Sequence, residues 1–390
     1  MPYYRQVGEI PRKRHTAFRD VDGRRFHEEL MGQEGFSSRS ALLYHRHAPS
    51  AITALAAVEE FHPEQPTPDH PLTPRHLRTS EIGATTDVVT GRRVLLANAD
   101  VRIAWACATA SSPLYRNAIG DELVYVQRGG AVVESVFGPL EVGAGDYVIV
   151  PASTTHRWVV DAGADGGFEA LIVESRGHVS PPRRYLSSGG QFLEHAPYCE
   201  RDVRAPDEVL IEEGRDIDVV VRSSGGLSRH THRNHPFDVV GWDGHLYPWA
   251  FNIHDFEPIV GRIHQPPPVH QTFEGPGFVV CSFVPRPYDF HPDAVKVPYH
   301  HANTDSDEVL FYSAGNFMSR AGSGIGVGSI SFHPAGFVHG PQPGSYEASV
   351  DRDRTEEVAV MIDTFAALQV TEIARSISAP EYPWSWVGDV

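Results

Sequence analysis

His301, Glu308 and His339 are the residues of this chain whose types and spacing could do chemistry together. Two neutral imidazoles and one carboxylate form the 2-His-1-carboxylate set, which holds a divalent first-row metal and leaves positions on one face open. Open positions admit an organic substrate and dioxygen, so the set points to an Fe(II) oxygenase. His301 and Asn303 lie two apart on an extended segment and share a face. The loop 304–307 lets the next strand begin at Glu308, close to the same interior. Pro334-Ala-Gly336 reads as a tight turn, and His339 lies on the strand that leaves it. Asp307 is a rival carboxylate, but strict alternation turns it away from Glu308. The competing reading of the three residues is a set of satisfied polar groups in a core.

The registration of these residues occurs twice. Asn303-x4-Glu308-x6-Gly315 is followed by Gly328-x5-Pro334-x-Gly336-x2-His339. In the first half Asn117-x4-Glu122-x6-Gly129 is followed by Gly145-x5-Pro151-x-Ser153-x2-His156. The two segments differ where a metal would be decided, because Tyr115 stands in the place of His301. Glu122 and His156 alone hold a metal poorly, so the first half is expected to be metal-free. The paired motifs resemble those of the cupin superfamily, and their duplication resembles a bicupin. That resemblance implies an all-β fold with minor α: two double-stranded β-helix jelly-roll barrels plus an N-terminal arm. Asn303 replaces the second histidine of the usual first motif, which favours a three-ligand site.

Short β-branched and aromatic runs must position these motifs. In the first half they are 94–97, 122–127, 131–136 and 146–150. In the second they are 279–284, 308–312, 329–332 and 358–362. The expected organisation is an arm and linker over 1–85, an N-terminal barrel over 86–180, a connecting segment over 181–252, and a C-terminal barrel with its tail over 253–390. Within the arm a helix is expected around Arg25–Met31, and the proline-rich 61–74 reads as extended. The stretch 176–252 reads as mixed and loop-rich. Trp384 and Trp386 in the tail are expected to dock on the body.

Composition bounds the function. The chain has 390 residues and a net charge of −17, which repels phosphate backbones, so nucleic acid is not an expected partner. Its apolar runs are too short to span a bilayer, and residues 1–6 carry no signal-peptide core, so a cytoplasmic protein is expected. Three scattered cysteines suggest neither a disulfide framework nor a CxxC site. Of 22 histidines, eight fall between His254 and His339, which is weak evidence by itself. His230, His232 and His235 could be a zinc tract, with a solvated loop as the plainer reading. His45 and His47 on the arm could cover a neighbour's site. His300 should face away from the metal.

A narrower resemblance is carried by four segments in order. Glu28–Tyr44 resembles the N-terminal arm of homogentisate 1,2-dioxygenases, and Pro236–Asn252 resembles the segment joining that family's halves. Pro298-Tyr-His-His301-Ala-Asn303 is similar to its metal-ligand strand, and His333-x5-His339-Gly-Pro341 to its signature. The resemblance implies Fe(II) held by His301, Glu308 and His339, and oxidative ring opening of a para-dihydroxylated aromatic acid with dioxygen. The product expected is of the maleylacetoacetate type, in aromatic amino acid catabolism. It implies His264 as acid/base, and His333 as a hydrogen-bond partner of substrate or oxygen. Tyr299, Asn303, Phe317 and Arg320 are the substrate-binding candidates. It also implies a homotrimer or homohexamer. Phe317 and Arg320 stand where the family carries a tyrosine and a lysine, and one extra residue separates His301 from Glu308. A gentisate-type dioxygenase is therefore the enzyme alternative, and a metal-free small-molecule-binding cupin the non-enzyme one.

Overall fold

The computed structural model describes residues 3–58, 64–161 and 167–387. The chain is all-β apart from two short α-helices among the described residues, Ser345–Ser349 and Glu372–Ser376. The expected strands form, as Arg93–Ala97, Glu122–Arg128, Gly130–Ser135, Asp146–Val150, Phe278–Phe283, Asp307–Ala314, Ser329–His333 and Val358–Thr364.

Three large sheets are stacked. A seven-stranded sheet and an eight-stranded sheet enclose the first core, where Val133 and Trp158 from one meet Val124 and Ile172 from the other. The eight-stranded sheet also faces the six-stranded sheet of the C-terminal half. Trp105 and Tyr125 both pack on Phe311, with ring centroids 5.5 and 5.9 Å apart. Tyr125 Oη lies 2.7 Å from Ser313 Oγ, and Tyr147 Oη lies 2.8 Å from Ser282 Oγ. The middle sheet is thus buried on both faces. That is why Glu122–Val126 reads as a nearly continuous apolar run instead of alternating. The two halves share one hydrophobic core.

Two expectations differ from the structure. Residues around Arg25–Met31 form the strand His27–Gly32, paired antiparallel with Ser40–His45, and not a helix. Ladder pairing outweighs the helical propensity of Glu, Leu and Met there. The stretch read as loop-rich contains the hairpin Arg215–Ser223 and Gly226–Asn234, and the strands Val239–Gly244 and Trp249–Asn252. These complete the N-terminal sheets: Trp249–Asn252 pairs with Asp146–Val150, and Arg215–Ser223 runs parallel to Tyr115–Asn117. The arm is woven through both halves. Ile52–Ala57 joins the seven-stranded sheet, and Arg75–Arg78 joins the six-stranded sheet beside Ser329–His333. Residues 61–63 of the proline-rich stretch lie outside the described residues. No helix among the described residues is long and apolar enough to cross a membrane.

Candidate metal centre

Alternation on the strand Asp307–Ala314 sends its first two residues to opposite faces. Asp307 accepts backbone N–H bonds from Ala335 at 2.8 Å and Leu368 at 2.7 Å, so it fixes the scaffold. Glu308 points the other way, into the barrel. His301 and His339, far apart in sequence, are joined by a reciprocal backbone pair of 2.8 and 2.9 Å. Gly336 closes the preceding turn at φ +79° and donates its N–H to the Asn303 carbonyl at 2.7 Å. That backbone conformation is open to glycine at little cost.

The result is three ligand atoms within 4.8 Å of one another, from His301, Glu308 and His339. His301 Nε2 lies 3.6 Å and His339 Nε2 3.3 Å from the Glu308 carboxylate. Each histidine is oriented by its own segment: Nδ1 of His301 lies 3.1 Å from the Tyr299 carbonyl, and Nδ1 of His339 lies 3.1 Å from the Phe337 carbonyl. With Nδ1–H donated there, both Nε2 lone pairs face inward. His339 Nε2 is buried with no hydrogen-bond partner. Two neutral imidazoles and a carboxylate that converge within 4.8 Å are a donor set that fits a divalent cation. Burial alone would raise the Glu308 carboxyl, but the three surrounding imidazoles hold it well below the usual carboxylate range.

The third imidazole is His333. Its Nδ1 lies 2.9 Å from Glu308 Oε1, its Nε2 2.9 Å from Tyr382 Oη, and its ring stacks on His339 at 4.0 Å. Burial pushes it down to about 3, so it is neutral. This corrects the expectation that His333 meets substrate or oxygen. Both ring nitrogens are committed, and it orients the carboxylate. Tyr382 comes from the C-terminal tail, where nothing in the local sequence marks it. Trp386 also docks, donating Nε1–H to the Gly340 carbonyl at 3.0 Å, whereas Trp384 stays 71% exposed.

A cavity of about 260 Å³ opens onto the ligand set and is lined in part by His264, Tyr299, Asn303, Arg320 and Asp363. His264 sits edge-on to Tyr299 at 5.2 Å, with Nδ1 3.6 Å from Asp289 Oδ2. Asn303 Nδ2 lies 3.4 Å from Asp363 Oδ1. Asp363 is the cross-strand neighbour of Glu308 and was not singled out in the sequence. Arg320 is buried, donating Nε–H to Tyr312 Oη at 2.9 Å and Nη1–H to the Gly340 carbonyl at 2.7 Å. Among the described residues its guanidinium has no carboxylate within ion-pair distance. Phe317 corrects another expectation. It packs edge-on to Tyr312 at 5.0 Å and does not line the cavity, because the turn Met318–Arg320 brings Arg320 inward instead. His300 is exposed, as alternation requires.

The first half repeats several of these scaffold contacts. Asp121 accepts from Ala152 N at 2.8 Å and Val179 N at 2.9 Å, as Asp307 does from its two partners. Ser153 N donates to the Asn117 carbonyl at 2.7 Å, and His156 Nδ1 lies 3.0 Å from the Thr154 carbonyl. Ser153 takes the left-handed conformation, φ +65°, that glycine takes in the second half. What differs is the centre. Arg92 places Nη1 and Nη2 3.0 and 3.1 Å from the two oxygens of Glu122, and Tyr115 Oη donates to Glu122 Oε1 at 3.1 Å. A guanidinium pairs with the carboxylate that matches Glu308. Sequence reasoning missed Arg92, because its distance along the chain follows no motif.

The remaining histidine clusters lie in the arm and the connecting segment. His45 is clamped between Asp238 at 2.7 Å and Glu29 at 2.9 Å, and His47 also reaches Asp238 at 3.0 Å. Both imidazoles thus have carboxylate partners within this chain. His230 and His232 lie on the strand Gly226–Asn234, and His235 pairs with Glu212 at 3.2 Å, so the tract is not a loop. Among the described residues it forms no metal-sized cluster.

A family model described as homogentisate 1,2-dioxygenase N-terminal matches residues 35–253. A Saccharolobus solfataricus protein, whose description goes no further than dioxygenase, is 38% identical over 99% of both chains. A homogentisate 1,2-dioxygenase of Rhodopseudomonas palustris is 24% identical over 82% of this chain and 73% of its own length. Among solved structures, a cupin 2 conserved barrel domain protein from Leptotrichia buccalis covers 75% of this chain and 96% of its own, at 7% identity and a TM-score of 0.33. That likeness supports no functional comparison.

Proposed function

This chain belongs to the homogentisate 1,2-dioxygenase family, and on that premise we propose that it is an Fe(II)-dependent dioxygenase opening the ring of homogentisate or a closely related para-dihydroxylated aromatic acid. The observation that carries the reading is the convergence of His301, Glu308 and His339, with both Nε2 atoms within 3.6 Å of the Glu308 carboxylate.

A bound ferrous ion would supply Lewis acidity toward a phenolate oxygen and electrons for dioxygen. The protein's part is positioning and proton control. His301 and His339 are rigid because their Nδ1 atoms are tied to carbonyls of their own segments, and His333 fixes the Glu308 carboxylate. Arg320 offers the substrate carboxylate a buried cation that is not in a direct ion pair among the described residues. Its commitments to Tyr312 and Gly340 fix its position on the cavity wall. His264 would take up and return the proton of a ring hydroxyl, while Tyr299 and Asn303 orient the ring. Leu310 and Met361 give the cavity an apolar wall that excludes water.

The test is anaerobic reconstitution with Fe(II), followed by homogentisate or gentisate in the presence of oxygen. Oxygen uptake with new product absorbance is expected for homogentisate. Uptake with gentisate alone would move the assignment to the gentisate-type alternative. No uptake with any hydroquinone acid would end it.

A further inference from the structure

The strand Ile52–Ala57 is the terminal strand of the seven-stranded sheet, and among the described residues it pairs on one side only, with Gly226–Asn234. All six residues are exposed, Ile52 by 42% and Leu55 by 69%. Residues 51–58 read Ala-Ile-Thr-Ala-Leu-Ala-Ala-Val, without a charge or a proline. The adjoining hairpin is different: Arg215, Asp216, Asp218 and Arg229 are all exposed there. Free edges of natural sheets are ordinarily blunted by lysine, proline or an inward charge. An uncharged, apolar edge with an open row of backbone donors and acceptors is built to be covered.

We propose that a second copy of this chain pairs with Ile52–Ala57, antiparallel, about a two-fold axis through Leu55. Charge favours a copy meeting here. The chain carries −17, so approach through most of its surface brings like charges together, whereas this edge carries none. Sequence favours it as well. Antiparallel pairing about Leu55 sets Leu55 against Leu55, Ala54 against Ala56, Thr53 against Ala57 and Ile52 against Val58. No pair is charged, and the large residues meet each other as apolar contacts. The hydrogen-bond phase agrees. Val58 donates its N–H to the Leu227 carbonyl at 2.9 Å, so Ala54, Ala56 and Val58 turn their amides inward along the ladder. Leu55 and Ala57 then turn theirs outward, as a narrow pair centred on Leu55 requires. The contact is isologous and would join two seven-stranded sheets into one.

Cross-linking of the full-length protein through Leu55→Cys decides the matter. Residues directly opposite in such a pair have Cα atoms about 5.5 Å apart, within disulfide reach. Mild oxidation should give a linked dimer that reductant dissolves, while the parent protein, with Cys107 and Cys199 half-buried and Cys281 buried, gives none. Leu55→Lys, which opposes two ammonium groups at the axis, should weaken association at least tenfold in sedimentation velocity without changing the melting temperature. A cross-link with the assembled mass unchanged would still support the pairing, with other contacts adding to it. Absence of the Leu55→Cys dimer overturns the proposal, whatever assembly the parent protein shows.

Discussion

Arg92 and Glu122 form a two-pronged ion pair, at 3.0 and 3.1 Å, on the carboxylate whose counterpart in the second half, Glu308, is surrounded by His301 and His339. The duplicated scaffold presents a carboxylate to a cation in both halves. In one the cation is a side chain, and in the other we propose a metal ion. Arg92 also reaches Glu174 at 3.0 Å, and Arg222 reaches the other Glu174 oxygen at 2.9 Å.

Burial alone would raise the Glu122 carboxyl, but Arg92 pulls it down to about 2. Replacing Arg92 with Met leaves Glu122 and Glu174 buried with one guanidinium fewer. The expected cost is about 3–5 kcal/mol of unfolding free energy. Adding Glu122→Gln to that variant should restore part of it. Urea melts measure both, and a single variant within about 1 kcal/mol of the parent would show the pair to be dispensable.

Ligand and acid/base roles separate by two substitutions. His339→Ala should abolish both iron uptake and oxygen consumption. His264→Ala should bind iron at the parent stoichiometry and lose at least about a hundredfold in kcat. Iron loss in the second variant would make His264 a ligand.

His333 touches the carboxylate and not the cavity, so its removal should act through metal affinity. His333→Leu is expected to weaken Fe(II) binding about 10–100-fold. Tyr382→Phe, which removes only the hydroxyl behind it, should do less. Equilibrium dialysis compares them. Unchanged affinity with lost turnover would return His333 to the reacting groups.

Arg320→Met should raise KM for an aromatic acid by at least about tenfold, since a buried charge-assisted pair is lost. Binding of a plain hydroquinone without a carboxylate should change little. Equal effects on both would mean that Arg320 serves the scaffold alone.

His45 gives a pH dependence unrelated to the metal. Burial would lower it, but Asp238 and Glu29 on either side raise it to about 9. A folded-state value above the unfolded one stabilises the protein fully below about pH 6.5, and that stability is lost as pH rises through about 9. The contribution is up to about 3 kcal/mol. Melting temperature should therefore fall between these limits, and His45→Gln should flatten the slope. A parent curve as flat as the variant's would refute the clamp.

The sequence by itself determined the repeat, the strands that carry the two motifs and the convergence of His301, Glu308 and His339. Those depend on local rules: alternation fixes which face Asp307 and Glu308 take, and glycine or proline fixes where the chain reverses. The same rules carried the metal motif across both halves, because Asn117 and Asn303, or Gly129 and Gly315, stand at matching offsets. Only the tertiary structure decided what fills each barrel. Arg92 reaches Glu122 from 30 residues away, and Tyr382 reaches His333 from 49, with no periodicity to announce either. Phe317 and Arg320 exchanged importance because one turn chose which of them points inward. The segment 215–234 became strands because two neighbouring strands offered it partners, not because its own alternation demanded it. Spacing along a chain constrains direction over a few residues. Which distant group neutralises a buried carboxylate is settled when the sheets stack and water is excluded from between them.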